Sequence, residues 1–323
     1  MSAVTFRPSG RYDPGLYEPG PNEPGPNEPG PNEPGPNEPG PTRRVWQAQE
    51  AASPRGMDRL RWAFSDVRVL TWRTLTRIAT TPEQLLNVTV LPLVFVLLFS
   101  YVFNRAIVLP GHGNYRDYLI AGIFAVNMGG TAQGAAIGLA VDLSTGLIDR
   151  FRSLPMSRAT VIVGRTLADL VTTLVAATVT VVSGLAVGWR IHAGLAGLLL
   201  ALVLALLFAY SAAWAGACVG ILARGPESAQ AVGLTVIVPL SLTSNAFIST
   251  SSLPAGLRDI ANWNPVSVLA SACRQLLGNP DPAAAIHSWP MQHPELASAL
   301  WSLTLLAVLA PLAVWLYVRR TRR

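Results

Sequence analysis

Long runs of apolar residues dominate the chain after about its first 80 positions. Six of these runs are long enough to cross a hydrocarbon core of about 30 Å, which takes about 20 helical residues. They cover residues 85–103, 118–141, 161–189, 195–223, 231–248 and 296–318. The pattern predicts an all-α integral membrane protein with six transmembrane helices.

A different periodicity precedes the first run. Residues 58–80 place Leu60, Phe64 and Val67 on one helical arc, with arginines on the opposite side. This segment carries too many charges to span a bilayer, so it is predicted to be an amphipathic helix lying in the membrane interface. The T-x-x-Q sequence that begins at Thr81, with proline at the next position, is typical of a helix start. A six-span domain is therefore predicted over 81–323.

The first 57 residues contain neither pattern. Residues 18–42 repeat the motif EPGPN, in which proline or glycine occupies three of every five positions. Such a segment cannot bury apolar surface, so residues 1–57 are predicted to form a disordered tail. A plain spacer is favoured over a tail that binds lipid or a partner.

Two segments between the spans carry shorter amphipathic patterns. The loop 143–160 places Leu147, Phe151 and Leu154 along one helical face, which needs either a protein partner or the membrane surface. The segment 249–295 contains a short apolar face, and Asn264 followed by Pro265 predicts the start of a helix over 266–277. These last helices are expected to be half-buried or re-entrant and to cap the outer leaflet.

The arginines beside the spans predict the orientation. Eleven lie on one side of the predicted topology and five on the other. The larger group consists of Arg68, Arg73, Arg77, Arg150, Arg152, Arg158, Arg224, Arg319, Arg320, Arg322 and Arg323, and the smaller group of Arg105, Arg116, Arg190, Arg258 and Arg274. The excess of positive charge marks the cytoplasmic side, so both termini are expected there.

Composition excludes several function classes. Half of the residues are hydrophobic, 13% are charged, and all 24 basic residues are arginine. Without lysine the chain cannot form a P-loop or a Schiff base, so it is expected to bind neither ATP nor a cofactor of its own. The arginines lie beside apolar runs, which favours a membrane surface over nucleic acid. Cys218 and Cys273 are expected to be free thiols, and no metal-ligand spacing is present.

Small and charged residues inside the spans define two candidate sites. Gly130, Gly134 and Gly138 recur at four-residue steps, which predicts a helix-packing face rather than a substrate surface. Arg165 and Asp169 are four residues apart in the third span, and Asp142 lies at a matching depth in the second. An intramembrane ion-pair network of these three residues is favoured over a proton relay.

Three stretches of the sequence resemble the daunorubicin-resistance-type permeases of the ABC type 2 exporters. They are TPEQL at 81–85, GLIDRFRSLPMSRATVIVGRTLADL at 146–170, and SNAFISTSSLP with NPVSVLASACRQL within 244–276. The resemblance extends from about residue 64 to the C-terminus. The repeat tail has no counterpart in the family pattern.

The resemblance implies the membrane subunit of an ATP-driven exporter. Such a half-permease pairs with a second permease copy or paralogue and with a separate ABC ATPase, which carries ATP and Mg²⁺. It implies a plasma-membrane protein that exports hydrophobic or amphipathic compounds such as drugs, polyketides or lipids. It also implies a coupling helix at about 145–154, whose candidate contacts to the ATPase are Leu147, Asp149, Arg150, Phe151, Arg152 and Leu154.

Two other classes are weighed against this function. An ion-coupled carrier would need acidic residues at the membrane midplane, and the centres of the six runs contain none. A noncatalytic membrane scaffold is compatible with the sequence. An enzyme is disfavoured because no loop combines a nucleophile, a base and a residue to orient them.

Overall fold

The computed structural model describes residues 72, 76, 82–103, 114–145, 158–250 and 253–320. The regular elements in these residues are helices. They are α1 (Pro82–Leu98), a π-helical turn (Phe99–Phe103), α2 (Tyr115–Ser144), α3 (Arg158–Val187), α4 (Gly194–Leu222), α5 (Pro226–Leu242), α6 (Ala255–Trp263), α7 (Pro265–Leu277), a 3₁₀ turn (Pro282–Ala285), α8 (Trp289–Gln292) and α9 (Pro294–Arg320). The predicted tail and most of the predicted interfacial helix lie outside this range, although Trp72 and Thr76 are helical.

Four helices are long and apolar enough to cross a membrane: α2, α3, α4 and α9. They correspond to four of the six predicted spans and extend two or three residues beyond five of the eight predicted ends. The other two predicted spans correspond to α1 and α5, which have 17 residues each. Each is about 25 Å long at about 1.5 Å per residue. The π-helical turn continues α1 by five residues.

Helix α2 forms the centre of the bundle. It packs most extensively against α4 and also contacts α3, α5 and α7. Its most apolar stretch is 61% buried inside the protein, against 11% for α9, which lies at the periphery. The centre of the helical bundle is therefore the α2–α4 contact.

Small residues make the α2–α4 contact close. A side chain at Gly216 would collide with the carbonyl oxygen of Ala132, and one at Gly220 would collide with that of Ala136. Many of the leucines and valines of α4, such as Leu200 and Val203, are exposed instead, although Phe208 and Trp214 are buried. Small residues inside and large apolar residues outside are typical of helices that pack within a lipid bilayer.

The segment 253–293, which we call the cap segment, covers one end of the bundle. This end, the cap end, contains the first turns of α2, α4 and α9. In the cap segment Asn264 caps α7 by accepting a hydrogen bond from the backbone nitrogen of Val266 at 2.9 Å, and Pro265 begins the helix. The helix ends at Gly278, whose φ of +70° favours glycine. The sequence prediction for this helix is confirmed.

Candidate functional site

Arg165 joins α2 to α3 near the end of the bundle opposite the cap segment. Its Nη1 donates to Asp142 Oδ2 at 2.9 Å, and its Nε lies 3.3 Å from Asp169 Oδ1. The Arg165 and Asp142 side chains are 16% and 15% exposed. The structure thus brings all three predicted residues together, with two carboxylates sharing one guanidinium. Each carboxylate is held by the cation, and the network links two neighbouring helices.

The predicted glycine face has two different environments. A side chain at Gly138 would collide with the guanidinium of Arg165, so glycine at this position leaves the room that the ion-pair network occupies. In the described part of the chain, a Cβ at Gly130 or Gly134 would meet no atom within 4 Å. The close contacts between α2 and α4 come instead from Gly216 and Gly220 of α4, which are not among the predicted glycines. Their four-residue spacing is the signal that could have identified them.

A buried arginine at the cap end was also missed. Arg274 of α7 is fully buried, and its guanidinium lies 3.6 Å from the centre of the Tyr118 ring. It donates to the carbonyl oxygens of Tyr118 at 3.0 Å, Asn245 at 3.0 Å and Ala246 at 3.2 Å. Because arginine presents five donors in a rigid fork, one side chain can hold several backbone oxygens at once. Arg274 therefore connects the first turn of α2 to the segment that follows α5.

Asn245 extends this network. Its amide nitrogen donates to Ser271 Oγ at 2.8 Å, and its backbone nitrogen donates to Ser267 Oγ at 2.9 Å. The hydroxyl of Tyr118 donates to the Asn245 carbonyl oxygen. An asparagine and an arginine within otherwise apolar stretches were the available sequence signal. Sequence alone does not indicate that residues 118, 245 and 274 meet.

Asp281 provides a carboxylate near Arg274. Its Oδ1 lies 4.0 Å from Arg274 Nη1, and its Oδ2 accepts from Gln275 Nε2 at 3.2 Å. Burial raises the pKa of the Asp281 carboxyl, although Arg274 and several hydrogen bonds favour its charged form. Desolvation outweighs the attraction to Arg274 at this position.

An apolar cavity of about 190 Å³ lies toward the cap end between α2, α3 and α4. Its lining includes Ile120, Phe124, Ala177, Trp189, Ala201 and Leu277. Thr178 and Leu199 also line it and are exposed, so the cavity opens to the outside of the bundle. Small apolar ligands bind in concave, mostly apolar spaces of this kind.

The six residues predicted to contact an ATPase lie outside the described residues. They are Leu147, Asp149, Arg150, Phe151, Arg152 and Leu154. Within the described ranges, no three histidine, cysteine or acidic side chains form a metal-binding group. Cys218 and Cys273 are buried free thiols.

Long apolar helices that bury small residues and two arginine networks define a multi-pass helical membrane protein. Its sequence matches the model of the ABC-2 type transporter family over residues 65–277. The match covers more than half of the chain. The chain therefore belongs to the ABC-2 type transporter family and is a membrane-spanning permease subunit of an ABC exporter, a family that implies an ATPase partner.

Named relatives agree with this family. The chain is 30% identical over 208 residues to the daunorubicin resistance ABC transporter permease protein DrrB1 of Streptomyces coeruleorubidus, covering 64% of this chain and 72% of the relative. It is 25% identical over 258 residues to the probable doxorubicin resistance ABC transporter permease protein DrrC of Mycobacterium tuberculosis, covering 75% of this chain and 84% of the relative.

Proposed function

We propose that this chain forms half of the membrane pathway of an ATP-driven exporter for hydrophobic or amphipathic compounds. The family match over residues 65–277 is the observation that carries the proposal. The two relatives are named for resistance to daunorubicin and doxorubicin, which supports a compound with a large apolar part as substrate. The exposed apolar faces of α4 and α9 support contact with lipid.

The proposed topology has six spans with both termini in the cytoplasm. Helix α1 has 17 residues, and the π-helical turn adds 5. At about 1.5 Å per residue, the two elements are together about 33 Å long. Helix α5 is shorter and would cross where the cap segment fills the end of the bundle. The cap segment then lies outside the cell, and residues 146–157 lie inside. We further propose that residues 1–57 act as a spacer and 58–80 as an interfacial helix.

Coupling to the ATPase is assigned to the loop between α2 and α3. Helix α2 ends two residues after Asp142, and α3 begins seven residues before Arg165, so the ion-pair network joins the two helices that flank this loop. If the ATPase displaced this loop, α2 and α3 would move together, because Arg165 joins the two helices. Phe151 is proposed as the central contact because aromatic side chains dominate many interfaces.

Pairing with a second copy or a paralogue is proposed to use an exposed apolar face of the bundle. Helix α5 exposes Val232, Val236 and Leu242, and α2 carries Gly130 and Gly134 beside open space. Small residues beside open space allow a second backbone to come close. This face would complete a pathway that one subunit forms only in half.

The function is tested by reconstitution. The tagged full chain is purified with its copurifying ATPase and placed in lipid vesicles, and uptake of daunorubicin is followed together with ATP hydrolysis. We expect uptake that depends on ATP and stops when the P-loop lysine of the ATPase is replaced by alanine. Uptake that persists with that inactive ATPase would reject ATP-driven export.

The coupling role of Phe151 is tested with the same complex. Phe151→Ala is expected to reduce ATPase pull-down or substrate-stimulated hydrolysis about tenfold, since truncating a central interface residue often costs more than about 1 kcal/mol. Leu109→Ala, between the first two predicted spans, is the matched control. Normal pull-down and normal stimulated hydrolysis in Phe151→Ala would leave the membrane-surface interpretation of this loop.

A further inference from the structure

We propose that the apolar cavity between α2, α3 and α4 binds an acyl chain of a membrane lipid. This inference goes beyond the transport function, because it concerns a lipid that stays with the protein. It rests on the position, mouth, wall and size of the cavity.

The cavity lies within the depth of one lipid leaflet. Along α3 its lining extends from Ala177 to Val181, and Trp189 follows the end of the helix at Val187. At about 1.5 Å per residue, the helical part from Thr178 to Val187 is about 14 Å long, which is less than half of a 30 Å hydrocarbon core. The cavity therefore lies in the half of the bilayer next to the cap end, at a depth that an acyl chain starting at that interface reaches.

The mouth of the cavity faces hydrocarbon rather than water. It is bordered by Thr178 and by Leu199, which is 52% exposed. Both residues belong to helices long and apolar enough to span the membrane. The medium in contact with the mouth is therefore the acyl region of the bilayer, in which lipid chains are the most abundant molecules.

Apart from the Trp189 indole, the wall offers few polar partners to water. The hydroxyl of Thr180 donates to the Ala176 carbonyl oxygen at 2.9 Å and accepts from Asn127 Nδ2 at 3.1 Å. The hydroxyl of Thr178 donates to the Leu174 carbonyl oxygen at 2.8 Å. Both threonines thus find their partners within the protein, whereas a buried water needs about two to four polar partners.

The size of the cavity suits a chain segment. At about 190 Å³ it exceeds an apolar cavity of about 150 Å³ that is known to stay dry and to bind benzene. An empty space of this size would forfeit the dispersion contacts of its lining. A flexible methylene chain restores those contacts and continues along the exposed side of Leu199.

Trp189 indicates where the polar end of the lipid lies. Its ring lines the cavity and is 1% exposed, and its Nε1 has no hydrogen-bond partner among the described residues. A buried donor without an acceptor is unfavourable. The ester carbonyl at the top of an acyl chain supplies an acceptor at the depth where tryptophan is enriched in membrane proteins.

The experiment uses a phospholipid that carries a diazirine in the middle of one acyl chain. The full chain is reconstituted into vesicles of phosphatidylethanolamine and phosphatidylglycerol with a trace of this probe, irradiated, and mapped by mass spectrometry. We expect labels within 177–181 and 198–202. Ala201→Phe fills the cavity and Thr178→Trp covers its mouth, and each should lower this labelling at least about fivefold. Leu200→Phe, on the exposed side of α4, should leave it unchanged.

Each outcome bears on the proposal. Equal labelling in all three variants, with wild-type elution and thermal midpoint, would mean nonspecific boundary lipid and would overturn it. Daunorubicin is also added at a lower molar concentration than the vesicle lipid. Loss of the label under this condition would assign the cavity to the transported compound and would also overturn the proposal. Trp189→Phe keeps the ring and is expected to label about threefold less, because one neutral hydrogen bond is lost. Unchanged labelling would reject the ester contact.

Discussion

At the scale of single residues, each buried arginine satisfies several acceptors. Arg165 holds two carboxylates, and Arg274 holds three carbonyl oxygens and the face of Tyr118. Removing the cation takes a charged donor from all of these acceptors at once, whereas removing one acceptor leaves the cation paired with the others. The cost of a substitution in these networks therefore depends on which member is changed.

Arg165→Ala is expected to destabilise the protein more than Asp169→Ala. Loss of the guanidinium leaves two carboxylates facing each other, at a cost of about 3 kcal/mol, while loss of Asp169 still leaves the Arg165–Asp142 pair. The Arg165→Ala and Asp169→Ala double variant should recover part of the Arg165→Ala loss. Thermal unfolding in detergent measures these differences, with Arg190→Ala at an exposed position as control.

A double variant that folds normally and loses all transport would contradict a purely structural role for this network. It would favour direct participation in translocation. Equal losses from Arg165→Ala and Asp169→Ala would show that Asp142 contributes little to the shared site.

Asp281 is expected to make stability depend on pH. Because its pKa is raised in the folded protein, the folded state binds more protons than the unfolded state between the ordinary pKa of about 3.9 and the raised one. Its contribution to stability is therefore complete below the ordinary pKa and is lost as pH rises through the raised value.

The thermal midpoint in detergent at several pH values tests this sign. Asp281→Asn should remove a difference of a few degrees, since about 1 kcal/mol shifts the midpoint by about 2–4 °C in a protein of this size class. Asp259→Asn changes an exposed carboxylate of the same cap segment and should leave the pH dependence intact. A steeper loss of stability on acidification in the wild type than in Asp281→Asn would contradict the expected direction.

At the scale of helices, local signals were predictable and distant contacts were not. Asn264 and Pro265 are adjacent in sequence, so their capping role could be inferred from it. Gly130 and Gly216 both belong to four-residue glycine steps, yet only the second meets a neighbouring backbone in the described residues. Which residues of two helices contact each other depends on how each helix is rotated about its axis in the bundle. The sequence pattern of one helix does not determine that rotation.

This contrast predicts two classes of glycine substitution. Gly216→Ala should cost more than about 2 kcal/mol, because the new methyl group meets the backbone of α2 and the helices must separate. Gly130→Ala should be neutral or stabilise the single subunit by up to about 1 kcal/mol, since alanine favours a helix. Unfolding in detergent measures both effects. A lower dimer fraction in Gly130→Ala with unchanged subunit stability would place this face in the proposed dimer contact.

At the scale of the whole molecule, the composition predicted a membrane protein, and the structure determines where reagents can reach it. Not every residue of the predicted outer segment can serve as a probe position, because Ala270 is fully buried in α7. Residues 193 and 256 are exposed at the cap end, and residue 224 is exposed at the opposite end.

Cysteine labelling at these three positions tests the topology. In a background with Cys218→Ala and Cys273→Ala, a membrane-impermeant maleimide on intact cells should label residues 193 and 256 and not residue 224. After cells are opened, residue 224 should label as well. The reversed pattern would invert the orientation and remove the basis for a cytoplasmic coupling loop.

Helix α2 is held at both ends by arginines that belong to other helices. Arg274 of α7 donates to a carbonyl oxygen in its first turn, and Arg165 of α3 pairs with a carboxylate in its last turn. If α2 slid along its axis by one turn, about 5.4 Å, both contacts would break. These two contacts fix the position of α2 along its axis, so α3 and α7 must move together with it. Opening of the proposed pathway would then require α2, α3 and α7 to move as one unit. The relative motion would have to occur at their contacts with the less enclosed helices.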